Sequence, residues 1–199
     1  MRQDEDYAVH TQNRIIERQD RGAVRAQSDG LSVLDTMRAI RDGRLPPPPI
    51  ARLLGFRYVG AEPGEIVIEL QPEHSLENSA GTLDTGVAAA MLDTAMCAAA
   101  GTLLPVNKGA VTLDLKISYL KPLRIESGPI RAIGRVVDLA EPTAFVTGQI
   151  HDGEGSLAVH AVGVVSAITS KQTLSSVPRA VSSKPGIWST IWRTLEAMS

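Results

Sequence analysis

Asp93 stands in an otherwise apolar run, V-A-A-A-M-L-D-T-A-M-C-A-A-A-G-T-L-L over residues 87–104. A carboxylate is costly to bury in such surroundings unless it is paired or takes part in chemistry. Just ahead lies N-S-A-G-T-L-D-T-G over residues 78–86, a polar, glycine-bearing turn that leads into the helix the alanines predict. A helix start aims free backbone N–H groups and the positive end of the helix dipole at one point, which suits an anion. Acyl transfer needs both parts: donors for the oxyanion that develops on a carbonyl, and a base for the attacking water. The chain therefore reads as an enzyme.

The other reactive side chains are weaker candidates. Asp84 and Asp93 cannot act as a dyad within one helix. Nine positions at ~1.5 Å each place them roughly 13.5 Å apart along the axis, on opposite faces. Asn78 has the residue type of a turn as well as of a substrate ligand. Cys97, the single cysteine, reads as a small core residue with no histidine near it in sequence. His74, His151 and His160 lack metal-ligand spacing, and neither H-E-x-x-H nor C-x-x-C occurs, so no metal is expected. The G-x-S-x-G elbow of serine hydrolases is missing as well.

Bulk properties narrow the class. The 199 residues suit one domain with tails. A net charge of −2 leaves no basic footprint for nucleic acid. One cysteine excludes an internal disulfide framework and suits a reducing compartment. Residues 1–30 are rich in Arg, Asp, Glu and Gln and carry no secretory core, so the expected location is the cytoplasm. The apolar run 87–104 is nearly as long as a membrane span. Asp93 near its centre would oppose insertion by about 2.5–3.5 kcal/mol, and alanine offsets little. A helix apolar on all sides belongs instead in a core.

These elements must position the site. Residues 1–30 are expected to form a flexible segment, with at most a frayed helical turn near residues 14–18. Apolar residues at Leu31, Leu34, Met37 and Ile40 predict a helix that Gly43 and four prolines stop. Residues 50–54 add a further helical turn. Strands are predicted at 56–59 and 66–70, with Gly64 in the turn between them. The long helix follows at about 84–104, then strands at 110–120, 130–139, 144–151 and 157–168, the last two joined at D-G-E-G. The order implies an α+β domain over 31–168, an antiparallel sheet wrapped around one central helix. Residues 169–185 read as a linker. Residues 186–199 put Trp188, Ile191, Trp192, Leu195 and Met198 on one side of a possible helix, for docking on the chain's own domain or oligomer, or on a partner or membrane surface.

The turn and helix resemble N-x-x-G-x-x-H-G-G followed by L-x-D-x-A, the pattern of the PaaI-type (phenylacetate-degradation) branch of the hotdog-fold acyl-CoA thioesterases. Asn78, Gly81, Gly86, Leu92, Asp93 and Ala95 fall at the matching spacings. The segment T-L-D-L-K-I-S-Y-L-K-P over 112–122 is similar to that family's T-x-x-L-x-I-x-Y-L-R-P. The resemblance covers residues 31–168. It implies a hotdog fold with a five- or six-stranded antiparallel sheet, and a homodimer or dimer of dimers with sites at the subunit interface. It also implies hydrolysis of an acyl-CoA substrate without metal or organic cofactor.

Carried over by position, Asp93 is implied as general base or nucleophile, and Asn78 as the amide near the water or thioester oxygen. The Thr85 N–H is implied as the carbonyl donor, and Thr112 as the hydroxyl that orients water. Asp84 and Gly86 frame the helix start. Tyr119, Lys121, Pro122 and Arg124 lie where the CoA arm would run, with Lys121 and Arg124 facing its phosphates. The chain departs from the family at two positions: the family histidine is Asp84 here, and the next glycine is Thr85. Asp84 is expected either to cap the helix or to compete with the substrate carbonyl for its donors. The second case would leave an acyl-CoA-binding protein that does not hydrolyse.

Overall fold

The computed structural model describes Ser28 and residues 30–169. The expectations for residues 1–27 and for 170–199, including the Trp188 and Trp192 segment, lie outside the described residues.

Among the described residues, helices α1 (Val33–Arg41) and α2 (Pro49–Leu54) precede the sheet. Strands β1 (Arg57–Glu62) and β2 (Glu65–Leu70) lead through a loop to the central helix α3 (Thr85–Gly101). Four strands complete the domain: β3 (Lys108–Tyr119), β4 (Ile130–Ala140), β5 (Thr143–His151) and β6 (Leu157–Thr169). They form one antiparallel six-stranded sheet in the order β1-β2-β4-β5-β6-β3. The sheet wraps α3, the arrangement the resemblance implied.

Alternation along the strands explains which face meets the helix. Ile66, Ile68 and Leu70 on β2, Ile130 and Ala132 on β4, and Val146 and Ile150 on β5 are all buried. From α3 they meet Met91, Leu92, Ala95, Met96 and Ala99, also buried. A helix apolar on every side is stable here because the sheet encloses most of it.

Close wrapping depends on two glycines opposite one another. Gly134 on β4 pairs with Gly148 on β5. A Cβ at Gly134 would run into the backbone of Ala95, and one at Gly148 into Met96 and Leu92. Their missing side chains let α3 sit directly on the sheet.

Outside the wrap, Glu69 is buried between Arg57 and Arg131. Arg131 and, less strongly, Arg57 hold the Glu69 carboxyl below its usual range against the opposing effect of burial.

Some boundaries differ from the sequence reading. Helix α1 begins at Val33 rather than Leu31, because Ser32 caps it by accepting the Asp35 N–H at 3.0 Å. Leu31 is left outside and exposed, while Ala39 is the buried residue of α1. Helix α3 ends at Gly101, not Leu104. Thr102 turns its hydroxyl back onto the Ala99 carbonyl at 2.6 Å and accepts the Gly64 N–H at 2.7 Å, which ties the helix end to the β1–β2 turn. Strand β1 runs on to Glu62 through a bulge between Tyr58 and Gly60.

Candidate active site

Two separate hollows hold the candidate residues, one at the start of α3 and one along its flank. The entry to α3 is clamped from both sides. Leu83 N–H donates to the Leu123 carbonyl at 2.9 Å, and Asp84 N–H donates to the Leu76 carbonyl at 2.8 Å. Asn78 folds the preceding loop on itself. Its Oδ1 accepts the N–H of Ala80 at 2.9 Å and of Thr82 at 3.3 Å, and its Nδ2 donates to the Thr82 hydroxyl at 3.0 Å. Gly81, in the left-handed region at φ 72°, closes this loop. Asn78 is thus a turn residue by geometry, one step behind the hollow rather than in it.

Asp84 is the N-cap of α3. Its carboxylate accepts the Gly86 N–H at 2.7 Å, and its carbonyl accepts the N–H groups of Val87 at 3.1 Å and Ala88 at 3.4 Å. The Thr85 N–H has no acceptor among the described residues. Of the four donors a helix start leaves open, this one is still free.

Thr85 lies beside a hollow of about 290 Å³ that Tyr119, Lys121, Pro122 and Leu123 also line. The Tyr119 hydroxyl donates to the Thr85 carbonyl at 3.0 Å and so joins the end of β3 to the start of α3. The sequence reading singled out Thr85, Tyr119, Lys121 and Pro122 from distant positions, and the fold brings them together. Lys121 is committed elsewhere: its ammonium pairs with Asp152 at 2.6 Å, which holds the Asp152 carboxyl below the usual range. Arg124 is exposed and makes no side-chain hydrogen bond to another described residue.

Asp93 faces the second hollow, about 270 Å³, with Tyr58, Cys97, Ala98 and the α1 residues Val33 and Met37. It is half-buried rather than enclosed, because the sheet leaves this flank of α3 uncovered. No other described residue forms a hydrogen bond or ion pair with it. Cys97, one turn further on, has its thiol pushed up by burial, with the Thr112 hydroxyl beside it as a smaller opposing effect. Burial also pushes the Tyr58 hydroxyl up to about 12. Thr112 sits at a bulge of β3, between Thr112 and Asp114, a distortion common beside functional sites.

Within one chain the two hollows share no lining residue. The outer edge of β3 next to both pairs with no other described strand along its 12 residues, and Leu113 on it is 63% exposed.

The sequence profile of the thioesterase superfamily matches residues 80–159, a stretch that includes both hollows' α3 residues and most of β3 to β6. A candidate esterase of Saccharolobus solfataricus is 30% identical over 114 residues, 57% of this chain and 74% of that protein. The chain belongs to the thioesterase superfamily. Membership places it among thioester hydrolases and makes its fold the hotdog.

Human acyl-coenzyme A thioesterase 13 is 34% identical over 77 residues, 37% of this chain and 53% of that protein. Among solved structures, PaaI from the phenylacetic acid degradation operon of Escherichia coli superposes with a TM-score of 0.60 at 17% identity. The match covers 69% of this chain and 96% of that one, and at this identity it bears on the fold alone. A Thermus thermophilus phenylacetic acid degradation protein PaaI, in mutant form, gives 0.54 at 28% identity over 60% of this chain and 98% of its own.

The sequence reading missed several residues that the fold sets at these hollows. Tyr58, Val33 and Met37 line the hollow of Asp93 from elements whose packing no local pattern reveals. Asp152 reaches Lys121 from the β5–β6 turn, where it read only as a hairpin signal. Among the described residues, no group of three His, Cys, Asp or Glu side chains could hold a metal. No helix among them is long and apolar enough to cross a membrane.

Proposed function

We propose that the protein hydrolyses acyl-CoA thioesters to a free acid and CoA, with each active site assembled from two copies of the chain. The observation that carries the proposal is the Thr85 N–H, a free donor at a helix start beside a hollow, in a thioesterase fold. A partner's Asp93 supplies the base that the Thr85 hollow lacks. Water attacks the thioester carbon while the Asp93 carboxylate takes its proton. Charge moves onto the carbonyl oxygen, where the Thr85 N–H and the dipole of α3 stabilise it. Collapse of the tetrahedral intermediate breaks the carbon–sulfur bond, and the proton passes from Asp93 to the departing CoA thiolate. Thr112 assists through its place beside Cys97, one turn from Asp93 on the same helix.

Asp84 acts as a cap in this scheme. Its carboxylate occupies the Gly86 N–H and leaves that of Thr85 to the substrate, which favours hydrolysis over the binding-only reading. Tyr119 and Pro122 contact the CoA arm. Arg124 is the better phosphate partner, because Lys121 is already neutralised by Asp152.

Assembly follows from the unpaired β3 edge and its exposed apolar residues. The deciding experiment measures CoA release over a panel of aliphatic and aryl acyl-CoAs, together with mass by light scattering. The expected result is turnover by a species of at least two 21.2 kDa chains. Full activity in a species of one chain's mass would remove the shared site, and no turnover on any thioester would remove the reaction.

A further inference from the structure

The hollow beside Asp93 has a direction. It runs along α3 from Asp93 past Ala98 to Gly101, eight residues or ~12 Å of helix. Tyr58 forms one wall and Ala110, from the edge strand β3, the other. At the far end α1 crosses directly over α3. A Cβ on Gly101 would lie 2.9 Å from Cγ1 of Val33, so the two helices touch with no passage between them. Met37, one turn along α1 from Val33, faces the same space.

Helix α1 is firmly held in this place. Arg38 donates from Nε to the Ala61 carbonyl at 3.1 Å and pairs with Glu62 at 2.7 Å, which fastens α1 to β1. Buried Ala39 and partly buried Ile40 join the core behind it. The groove is therefore polar at one end, where Asp93 sits, apolar along its length, and shut at the other end by a fixed helix.

We propose that α1 is the length gauge of the acyl site: Val33 and Met37 close the groove, so that the favoured substrates carry straight aliphatic chains of medium length. The inference rests on the acyl-CoA reading above. A thioester carbon held beside Asp93 lays its chain along Ala98 toward Gly101. Each methylene that enters the groove leaves water, which raises kcat/KM about fourfold per carbon until the chain meets α1. A longer chain must stay in water or force α1 aside, so the gain stops. The small residues Ala98 and Ala110 leave room for a narrow, straight chain between Tyr58 and β3.

The test uses the full chain and straight-chain thioesters from acetyl- to palmitoyl-CoA, with phenylacetyl-CoA as the aryl member. For the native protein kcat/KM is expected to climb with length, break and then fall. Met37→Ala should move the break to longer chains by opening the end of the groove. Ala98→Leu should move it to shorter chains by narrowing the middle, and lower the ratio of decanoyl-CoA to acetyl-CoA kcat/KM at least tenfold. Thermal melting and light scattering check that both variants keep their fold and assembly. If Met37→Ala loosens α1, the enlarging Val33→Ile keeps the test: it should move the break to shorter chains.

A break unmoved in a folded Met37→Ala, or unmoved in a folded Ala98→Leu, overturns the inference and leaves the hydrolase reading intact. A preference for phenylacetyl-CoA over every straight chain does the same. No turnover with any thioester overturns both.

Discussion

Two aspartates on one helix show how differently a carboxylate can be used. Asp84, at the start of α3, is exposed and engaged: it accepts the Gly86 N–H, and its backbone closes the first turn. Asp93, nine residues on, is half-buried and makes no hydrogen bond or ion pair with another described residue. The first sits where the helix itself offers donors, so a local bond satisfies it. The second sits on a helical flank whose own N–H groups are already bonded within α3, so its partner must come from elsewhere. A carboxylate without a partner in an apolar hollow is costly unless substrate or water completes it. The helix start therefore offers a donor without a base, and the flank offers a base without a donor.

The largest effect should come from the flank. Asp93→Asn keeps the shape of the side chain and removes its ability to take a proton. Turnover is expected to fall at least about 10²-fold, as for other lost general bases, with the melting temperature and assembly unchanged. Near-native hydrolysis by the folded variant would erase the contrast between the two aspartates.

The helix start can be probed through its backbone. Thr85 is the first residue of α3, a position where proline is well tolerated because its φ suits the helix and its missing N–H breaks no helical bond. Asp84 has the extended backbone that a following proline prefers, φ −61° and ψ 134°. Thr85→Pro should therefore delete this donor, free among the described residues, and leave α3 intact. Loss of one oxyanion donor predicts a drop in kcat of about 10²-fold with little change in stability. Mixed oligomers of Thr85→Pro and Asp93→Asn chains should regain activity, since one of their two sites combines a native half from each. Failure of mixing to restore any turnover would place both halves of each site in a single chain.

How much of this was legible in the sequence depends on whether the cause was local. The α3 turn, the cap at Asp84 and the alternation of β2 and β5 follow from neighbouring residue types, and the structure has them. The pairing of Gly134 with Gly148 is another matter. Each glycine reads alone as a weak point in a strand, and only the register of β4 against β5 turns the two into a seat for Ala95 and Met96. Lys121 is similar: its partner Asp152 is 31 residues away, so a lysine suited to phosphate is already paired. The half-exposure of Asp93 also escaped the pattern, because an apolar helix does not announce which flank its sheet leaves open.

Cys97 sharpens the flank further. It shares the hollow with Asp93 and carries a nucleophilic atom, yet burial pushes its thiol up and keeps it protonated at neutral pH. Cys97→Ala should leave kcat within a few-fold of native, and iodoacetamide should label the native thiol slowly at pH 7 and faster as the pH rises. A loss as deep as that of Asp93→Asn would hand the chemistry to the thiol.

The smallest effect is expected at Asp84, the position that the resembling motif fills with a histidine. Two substitutions separate its cap from its charge. Asp84→Ala removes the acceptor for the Gly86 N–H and should lower stability by about 0.5–2 kcal/mol, read as a fall in melting temperature with kcat nearly unchanged. Asp84→Asn keeps an acceptor oxygen and removes the charge. Because the carboxylate is turned onto Gly86 and leaves the Thr85 N–H open, this variant should match the native enzyme in both stability and kcat/KM. Were the charge instead opposing the oxyanion, Asp84→Asn would be faster than native and Asp84→His faster still. A gain of tenfold or more in kcat/KM, about 1.4 kcal/mol of transition-state stabilisation, would show that the two aspartates of α3 act on the same substrate.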